Sequence, residues 1–556
     1  MNTLTVTCQN GRHLHCPFHT PVSDVITQLP PAPSGLPYIG AMVNNDLASL
    51  SFPIEVDASV EPLTLADPHG WNIYARSASF LLAKAVHDLF PAARFAVSYS
   101  VGTGYYCLFD RDNNTQGVTP EEVRRIEQHM RALVGKNLSI QREKIAFTRA
   151  VELFEQAGHS DRVHLLKYRN PPRVVIHVCD NFYDLAQGPM AASTGQLGLF
   201  TLISRPPGMV LQMPDRANPT VVPPYRDQPQ LFRIFQEHIE WGHILGVNTV
   251  GRLNEIIAGG DIDEFIHIAE ALHEKKVARI ADMIGERRGK VKVILIAGPS
   301  SAGKTTLAKR LAIQLRVNGI HAQSIGLDDY FHERDRTPRD AQGAYDFEHI
   351  DAIDIELFNR HLLALIGGGT VEPPVFNFET KRCETSGRQV RLDDGHVLIV
   401  EGIHGLNPRL TGMIPAENKF GVYVSAMTQL ALDSHNRIST TDNRLIRRLV
   451  RDHQFRGHSA LDTIRMWSSV RRGEERWIFP FQAQADAYFN SALDYELAVL
   501  KPMAEPLLTQ IKPDQREYAE ARRLTAFLMN FLGVPGREVP RTSILREYIG
   551  SSGFKY

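Results

Sequence analysis

Residues 298–305 read Gly-Pro-Ser-Ser-Ala-Gly-Lys-Thr, and their flanks narrow the fold more than any other feature of the chain. Before them runs the apolar Val291-Lys-Val-Ile-Leu-Ile-Ala297, which reads as a buried strand. After them Thr306-Leu-Ala-Lys-Arg-Leu-Ala-Ile-Gln-Leu-Arg316 opens a helix-like stretch. Strand, glycine-rich turn and helix in that order make a P-loop, which wraps backbone around a phosphate chain. Glycines at both ends let the main chain bend closely, and the helix N-terminus turns its N–H groups toward the anion. Gly298, Pro299, Ser300, Ser301, Ala302 and Gly303, with Lys304, Thr305 and Thr306 opening the helix, are therefore expected to hold a nucleoside triphosphate. Lys304 is expected at the β/γ-phosphates and the Thr305 hydroxyl on Mg²⁺.

The 556 residues suggest three or four domains, and 43% hydrophobic content suffices for ordinary cores. A formal net charge of −1 supplies no global field toward nucleic acid or an anionic membrane. No uninterrupted apolar run reaches about 18 residues, so no transmembrane helix is expected. The start, Met-Asn-Thr-Leu-Thr-Val-Thr, has no basic region followed by an apolar one and does not read as a secretory signal. Five cysteines without a C-x-x-C pair fit no disulfide framework, and a reducing cytoplasm is the expected setting.

Several signals follow the P-loop in order. Ser324-Ile-Gly-Leu-Asp-Asp-Tyr-Phe331 puts two acids after a strand end, and Tyr345-Asp-Phe-Glu-His-Ile-Asp-Ala-Ile-Asp354 is acidic and aromatic. Val371-Glu-Pro-Pro-Val-Phe-Asn-Phe378 reads as extended. His396-Val-Leu-Ile-Val-Glu-Gly-Ile-His404 is an apolar strand ending in Glu401. In Arg444-Leu-Ile-Arg-Arg-Leu-Val-Arg451, Arg444, Arg448 and Arg451 fall at helical spacing on one face, with Arg447 beside them and Arg456 beyond. Read by themselves, the acids could be solvated loop residues and the arginines an exposed basic face.

Together these segments resemble the phosphoribulokinase/uridine kinase family of P-loop kinases, over about residues 291–500. The resemblance implies a P-loop NTPase fold, a mostly parallel sheet with helices on both faces. It also implies ATP with Mg²⁺ and transfer of the γ-phosphate to a hydroxyl of a nucleoside or related small molecule. Asp328 becomes the general base and a Mg²⁺ neighbour, with Asp329 the alternative, and Glu401 goes to Mg²⁺ or its water shell. Arg448 and Arg451 become the lid arginines over the phosphates, with Lys304 and Arg456 near the transferred group. On the acceptor side Glu348 takes the place of an Asp that holds ribose hydroxyls. Phe376 stands where uridine kinases have Tyr, Lys381 where they have His, and His458 where they have a lid Arg. These departures keep a ribose-like acceptor in view and remove the residues set against a pyrimidine base.

The front of the chain divides differently. Residues 1–65 are β-rich, with Leu4–Cys8, the turn Asn10-Gly11 and His13–Cys16 as a hairpin and a second hairpin near Ala41–Asp46. The arrangement resembles a TGS domain of β-grasp type. Over 66–215, His69-Gly-Trp-Asn-Ile-Tyr-Ala-Arg, Gly102-Thr-Gly-Tyr-Tyr-Cys and Asp180-Asn-Phe-Tyr-Asp-Leu-Ala-Gln-Gly-Pro-Met190 resemble the second additional (editing) domain of threonyl-tRNA synthetases, an α+β unit. That domain carries H-x-x-x-H and C-x-x-x-H. The matching positions here are Arg76, Phe80, Ala186 and Met190, so neither zinc nor editing hydrolysis is expected there. Cys8, His13, His15, Cys16 and His19 form a second candidate cluster for a metal, but strand alternation separates them, which favours a polar hairpin face plus a buried thiol.

Residues 216–288 read as a helical connector with Phe265, Ile268, Ala269, Leu272, Val277, Ile280 and Ile284 at helical spacing. Residues 289–510 form the kinase-like domain and 511–556 a helical tail, extended near Val534-Pro-Gly536. The competing functional reading is an RNA- or ribosome-associated nucleotide switch that uses the synthetase-like half. Balanced charge and the full set of acceptor-side acids weigh against it. A front half serving as scaffold or dimerisation surface is compatible with a kinase and leaves an oligomer open.

Overall fold

The strand leading into the P-loop, Val293–Ala297, lies at the centre of a five-stranded sheet in a computed structural model that describes residues 3–8, 11–111, 117–340, 343–377, 380 and 382–555. Spatially the strands run Ala322–Gly326, Val397–Glu401, Val293–Ala297, Lys419–Ser425 and Ala487–Asn490, all parallel. Val293 is in register with both Leu398 and Lys419. Parallel strands need crossover connections, and these cover both faces. Alternate residues accordingly enter two cores. Ile294, Ile296 and Ile399 pack with Leu307, Leu311 and Leu315 of the P-loop helix Lys304–Val317. Val293, Leu295 and Leu398 pack with Phe358, Leu362 and Leu365 of the helix Ile355–Ile366.

The N-terminal sheet runs His13–Pro17, Thr3–Cys8, Ala58–Leu63, Gly40–Val43, Asp46–Ser49, with the short helix Val22–Ile26 packed on it. Only the Thr3–Cys8/Ala58–Leu63 pair is parallel. Cys8 and Cys16 are buried in its core while His13 and His15 face solvent, as strand alternation requires. The next unit sets the long buried helix Pro68–Leu89 against a four-stranded antiparallel sheet, followed by a three-stranded one.

The connector and tail helices pack on the P-loop unit. The helix Ile262–Gly285 lies along the P-loop helix, where Arg310 Nη2 donates to Glu274 Oε2 at 2.6 Å. Phe265, Ala269, Val277, Ile280 and Ile284 are buried in the shared core, but Ile268 is 40% exposed, one step outside the packed face. Near the other end, Ala519 packs against Met42 and Leu63 of the N-terminal sheet. One apolar cluster includes Phe154 and Leu165 of the front, Leu253, Leu307 and Leu528, so it crosses every expected boundary after residue 150. A buried polar clasp reinforces the junction: Arg162 Nε donates to Asp184 Oδ1 (2.8 Å), and Asp184 Oδ2 meets His435 Nδ1 (2.6 Å).

Candidate active site

The P-loop turns through Ser301 (φ 59°) and Gly303 (φ 85°), both left-handed. At Gly298 an added Cβ would lie 2.2 Å from the Val424 carbonyl oxygen, so the strand exit admits glycine only. The loop's carbonyls are tied on the outside. Arg444 Nη1 donates to Ser300 O (3.0 Å), Arg447 Nη1 to Ser301 O (3.3 Å), and the Tyr548 hydroxyl to Ser301 O (3.0 Å). Arg448 Nη1 donates to Ser300 Oγ at 2.9 Å, and Lys304 Nζ rests on Pro299 O at 3.3 Å. With carbonyls held outward, loop amides can face the concave side, although the Ser300 N–H donates to Glu474 Oε1 at 3.2 Å.

The helix Thr440–Phe455 does two jobs with its arginines. Arg444 and Arg447 are fully buried and paired with Glu474 and Glu496, so they brace the loop from below. Arg448 Nε (3.1 Å) and Arg451 Nη2 (2.8 Å) converge on the buried Asp452, which Arg456 approaches at 3.8 Å. The single arginine face expected from spacing is thus divided, because Glu474 and Glu496 draw Arg444 and Arg447 into the core.

Thr305 Oγ1 donates to Glu401 Oε1 at 2.9 Å, which joins the P-loop helix to the end of the neighbouring strand. Burial pushes the Glu401 carboxyl up to about 7; Lys304 opposes this, and Asp328 adds to it. A carboxyl held up by burial and by a second acid is a place where a cation would relieve charge. The Thr305, Glu401 and Asp328 oxygens are hard donors of the kind Mg²⁺ takes.

Asp328 and Asp329 are neighbours in the turn Leu327–Tyr330. Asp329 is pushed up to about 6 by burial, while the Phe376 backbone N–H pulls it down. The charge of Asp328 is felt by Glu401, Glu348 and Arg456. Glu348 lies against Gly473, where a Cβ would come within 2.2 Å of its own, and its Oε2 has no hydrogen-bond partner. Burial and then Glu474 push Glu348 up to about 7, against Arg448 and Lys304. Burial, and Arg451 after it, lower Arg456 to about 10. Lys304, Asp328, Glu348, Glu401, Arg448 and Arg456 therefore share one electrostatic neighbourhood beside the loop. Phe376 does not join them as an open ring. It is buried, 5.6 Å from Phe331 centroid to centroid. Lys381 lies outside the described residues.

Sequence reasoning missed Glu474, which sits in Arg471-Arg-Gly-Glu-Glu-Arg476 and looks there like one charge among many. It also missed Glu547, whose Oε2 accepts hydrogen bonds from Thr306 N (3.3 Å) and Oγ1 (2.7 Å). No periodicity in the last residues points to that contact.

In the front unit three of the four positions matching the synthetase ligands are packed or bonded. Phe80 and Met190 are buried in an apolar core, with the Phe80 ring 5.1 Å from Phe182. Arg76 Nη1 donates to Pro189 O at 2.6 Å, and its guanidinium lies 2.9 Å from where a Cβ on Gly188 would be.

Residues 293–498 match the model of the phosphoribulokinase/uridine kinase family. The chain is 30% identical over 202 residues to the threonine–tRNA ligase of Clostridium tetani, covering 36% of this chain and 31% of that protein. It is also 30% identical over 204 residues to the threonine–tRNA ligase of Citrifermentans bemidjiense, covering 37% of this chain and 31% of that protein. The chain thus spans about a third of the length of these curated relatives. Among solved structures it is similar to the D-glycerate 3-kinase of Cryptococcus neoformans at 13% identity and a TM-score of 0.21, over 46% of this chain and 87% of that one.

Proposed function

From a domain of the phosphoribulokinase/uridine kinase family at residues 293–498, joined to a threonyl-tRNA synthetase-like front, we propose an ATP- and Mg²⁺-dependent small-molecule kinase whose acceptor is a hydroxyl of a nucleoside or sugar-like compound. The observation that carries this reading is the Thr305–Glu401 hydrogen bond beside Lys304 and Asp328, a P-loop joined to the acids that phosphoryl transfer needs. In this reading the P-loop amides and Lys304 hold the triphosphate in line with the acceptor. Asp328 takes the proton as the acceptor oxygen bonds to the γ-phosphorus and the bond to the ADP oxygen breaks. Mg²⁺, held by Thr305, Glu401 and Asp328, would neutralise charge on the phosphates. Arg448, Arg451 and Arg456 would cover the transferred group, and Glu348 would hydrogen-bond the acceptor's other hydroxyls.

The burial of Phe376 favours an acceptor recognised by its hydroxyls rather than by a stacked base. For the front we propose a TGS-like unit at 1–65 and an editing-like unit at 66–215 that brace the kinase. The support is the continuous apolar core and the Arg162–Asp184–His435 clasp. No helix among the described residues is long and apolar enough to cross a membrane, and all five cysteines are free; we propose a cytoplasmic protein.

The test is ADP release with nucleosides, pentoses, polyols and hydroxy acids. Turnover stimulated by one class and lost in Asp328→Asn supports the kinase. No stimulation by any class, together with RNA that stays bound at low salt and leaves steeply as salt rises, would favour the nucleotide-switch reading of the synthetase-like half instead.

A further inference from the structure

We propose that residues 540–550 form a strap over the nucleotide side of the P-loop, and that Glu547 is a donor-site residue competing with the donor's α-phosphate for the first turn of the P-loop helix. The inference rests on the donor half of the kinase reading and goes beyond it.

The strap is built into the fold. Ser543, Ile544, Leu545 and Tyr548 are fully buried. Tyr548 donates to the Ser301 carbonyl, and Arg447 lies 5.1 Å over its ring. Ile544 covers Gly303 so closely that a Cβ there would come within 2.8 Å of Ile544 Cγ2. These contacts aim the turn Arg546–Ile549 at the start of the P-loop helix, where the Glu547 carboxylate accepts from both the N–H and the hydroxyl of Thr306.

The first four N–H groups of a helix have no partner within it, and the helix dipole favours an anion there. A carboxylate satisfies both demands, and so would a phosphate. A nucleoside triphosphate laid along a P-loop places its terminal phosphates in the loop and its α-phosphate at the first helical turn. That turn is where Glu547 sits. Two anions cannot share the Thr306 N–H, so the nucleotide enters only as Glu547 leaves. The apparent affinity is reduced by the fraction of molecules in which the strap holds its contact. A ligand that uses only the loop and Lys304 escapes this competition.

The experiment compares the full-length wild type with Glu547→Gln by calorimetric titration against MgATP and against inorganic pyrophosphate. Glutamine keeps the shape and a hydrogen-bond acceptor but removes the charge. The expected result is MgATP binding about three- to tenfold tighter in the variant, with pyrophosphate binding unchanged. Hydrogen exchange at amides 543–550 of the wild type is expected to quicken with MgATP and not with pyrophosphate. MgATP binding that is unchanged or weaker in Glu547→Gln overturns the competition, as does slower exchange in the strap with MgATP. Failure of the donor reading looks different: neither protein would bind MgATP at all.

Discussion

Two regions of this chain treat their candidate ligand positions in opposite ways. Around the P-loop, several polar groups have a partner that a ligand could replace: Lys304 rests on a carbonyl, Thr305 on Glu401, Thr306 on Glu547. At the front the positions matching metal ligands carry Arg76, Phe80, Ala186 and Met190; Phe80 and Met190 lie in an apolar core and Arg76 is held by the Pro189 carbonyl. What marks the P-loop side as usable is that its charges are held in place from behind, by Arg444–Glu474 and Arg447–Glu496, without being consumed.

The sharpest way to break the comparison is to remove the proposed base. Asp328→Asn keeps the shape of the turn and should lower kcat by roughly 10²–10⁴-fold with the acceptor that supports turnover. Steady-state ADP release measures it, and a loss below tenfold would hand the role to another group. Next in size is the brace. Arg444→Ala leaves Glu474 buried with Arg471, 2.8 Å away on its exposed side, and the Ser300 N–H at 3.2 Å. Losing one partner of a buried pair costs about 3–5 kcal/mol. Calorimetric unfolding should show a lowered Tm, and MgATP binding should weaken with it because Ser300 O loses its clamp.

The two pockets also differ in how far they were legible in the chain. The P-loop is local: strand, turn and helix are consecutive, so Lys304 and Thr305 could be placed from spacing alone. The Thr305–Glu401 contact spans 96 residues, yet a run ending in an acid is what a strand next to a P-loop looks like. The division of the arginine helix was hidden, because helical spacing gives faces but not neighbours. Glu474 and Glu496 come from 30 and 49 residues further on. Glu547 reaches Thr306 across 241 residues from a segment with no motif. The apolar spacing of Ile262–Gly285 predicts burial but not that the P-loop helix is what buries it.

A smaller effect tests the acceptor side. Glu348 titrates near 7 in the folded chain against an ordinary value of 4.5, so between those pH values the folded state holds an extra proton. Stability of the ligand-free protein should therefore fall as pH rises through that window. Glu348→Gln removes the dependence. Its Tm should match wild type near pH 4.5 and exceed it by about 2 °C at pH 8, read from thermal melts across a pH series. Equal melting at both pH values would place the carboxyl in contact with water.

The smallest effect is expected at the other pocket, and it is the one that most sharpens the contrast. Burial lowers Arg76 to about 10, and Arg523 adds to the effect, so this guanidinium gains little from its surroundings beyond the Pro189 carbonyl. Arg76→Met keeps much of the volume and removes the charge. If the pocket is filled rather than used, the kinase parameters should stay within twofold of wild type. The Tm should hold or rise by about 1–2 °C, since removing a poorly compensated buried charge offsets the one lost hydrogen bond. A large fall in turnover with the Tm intact would mean that Arg76 serves a ligand, and the two pockets would then both be active parts of the protein.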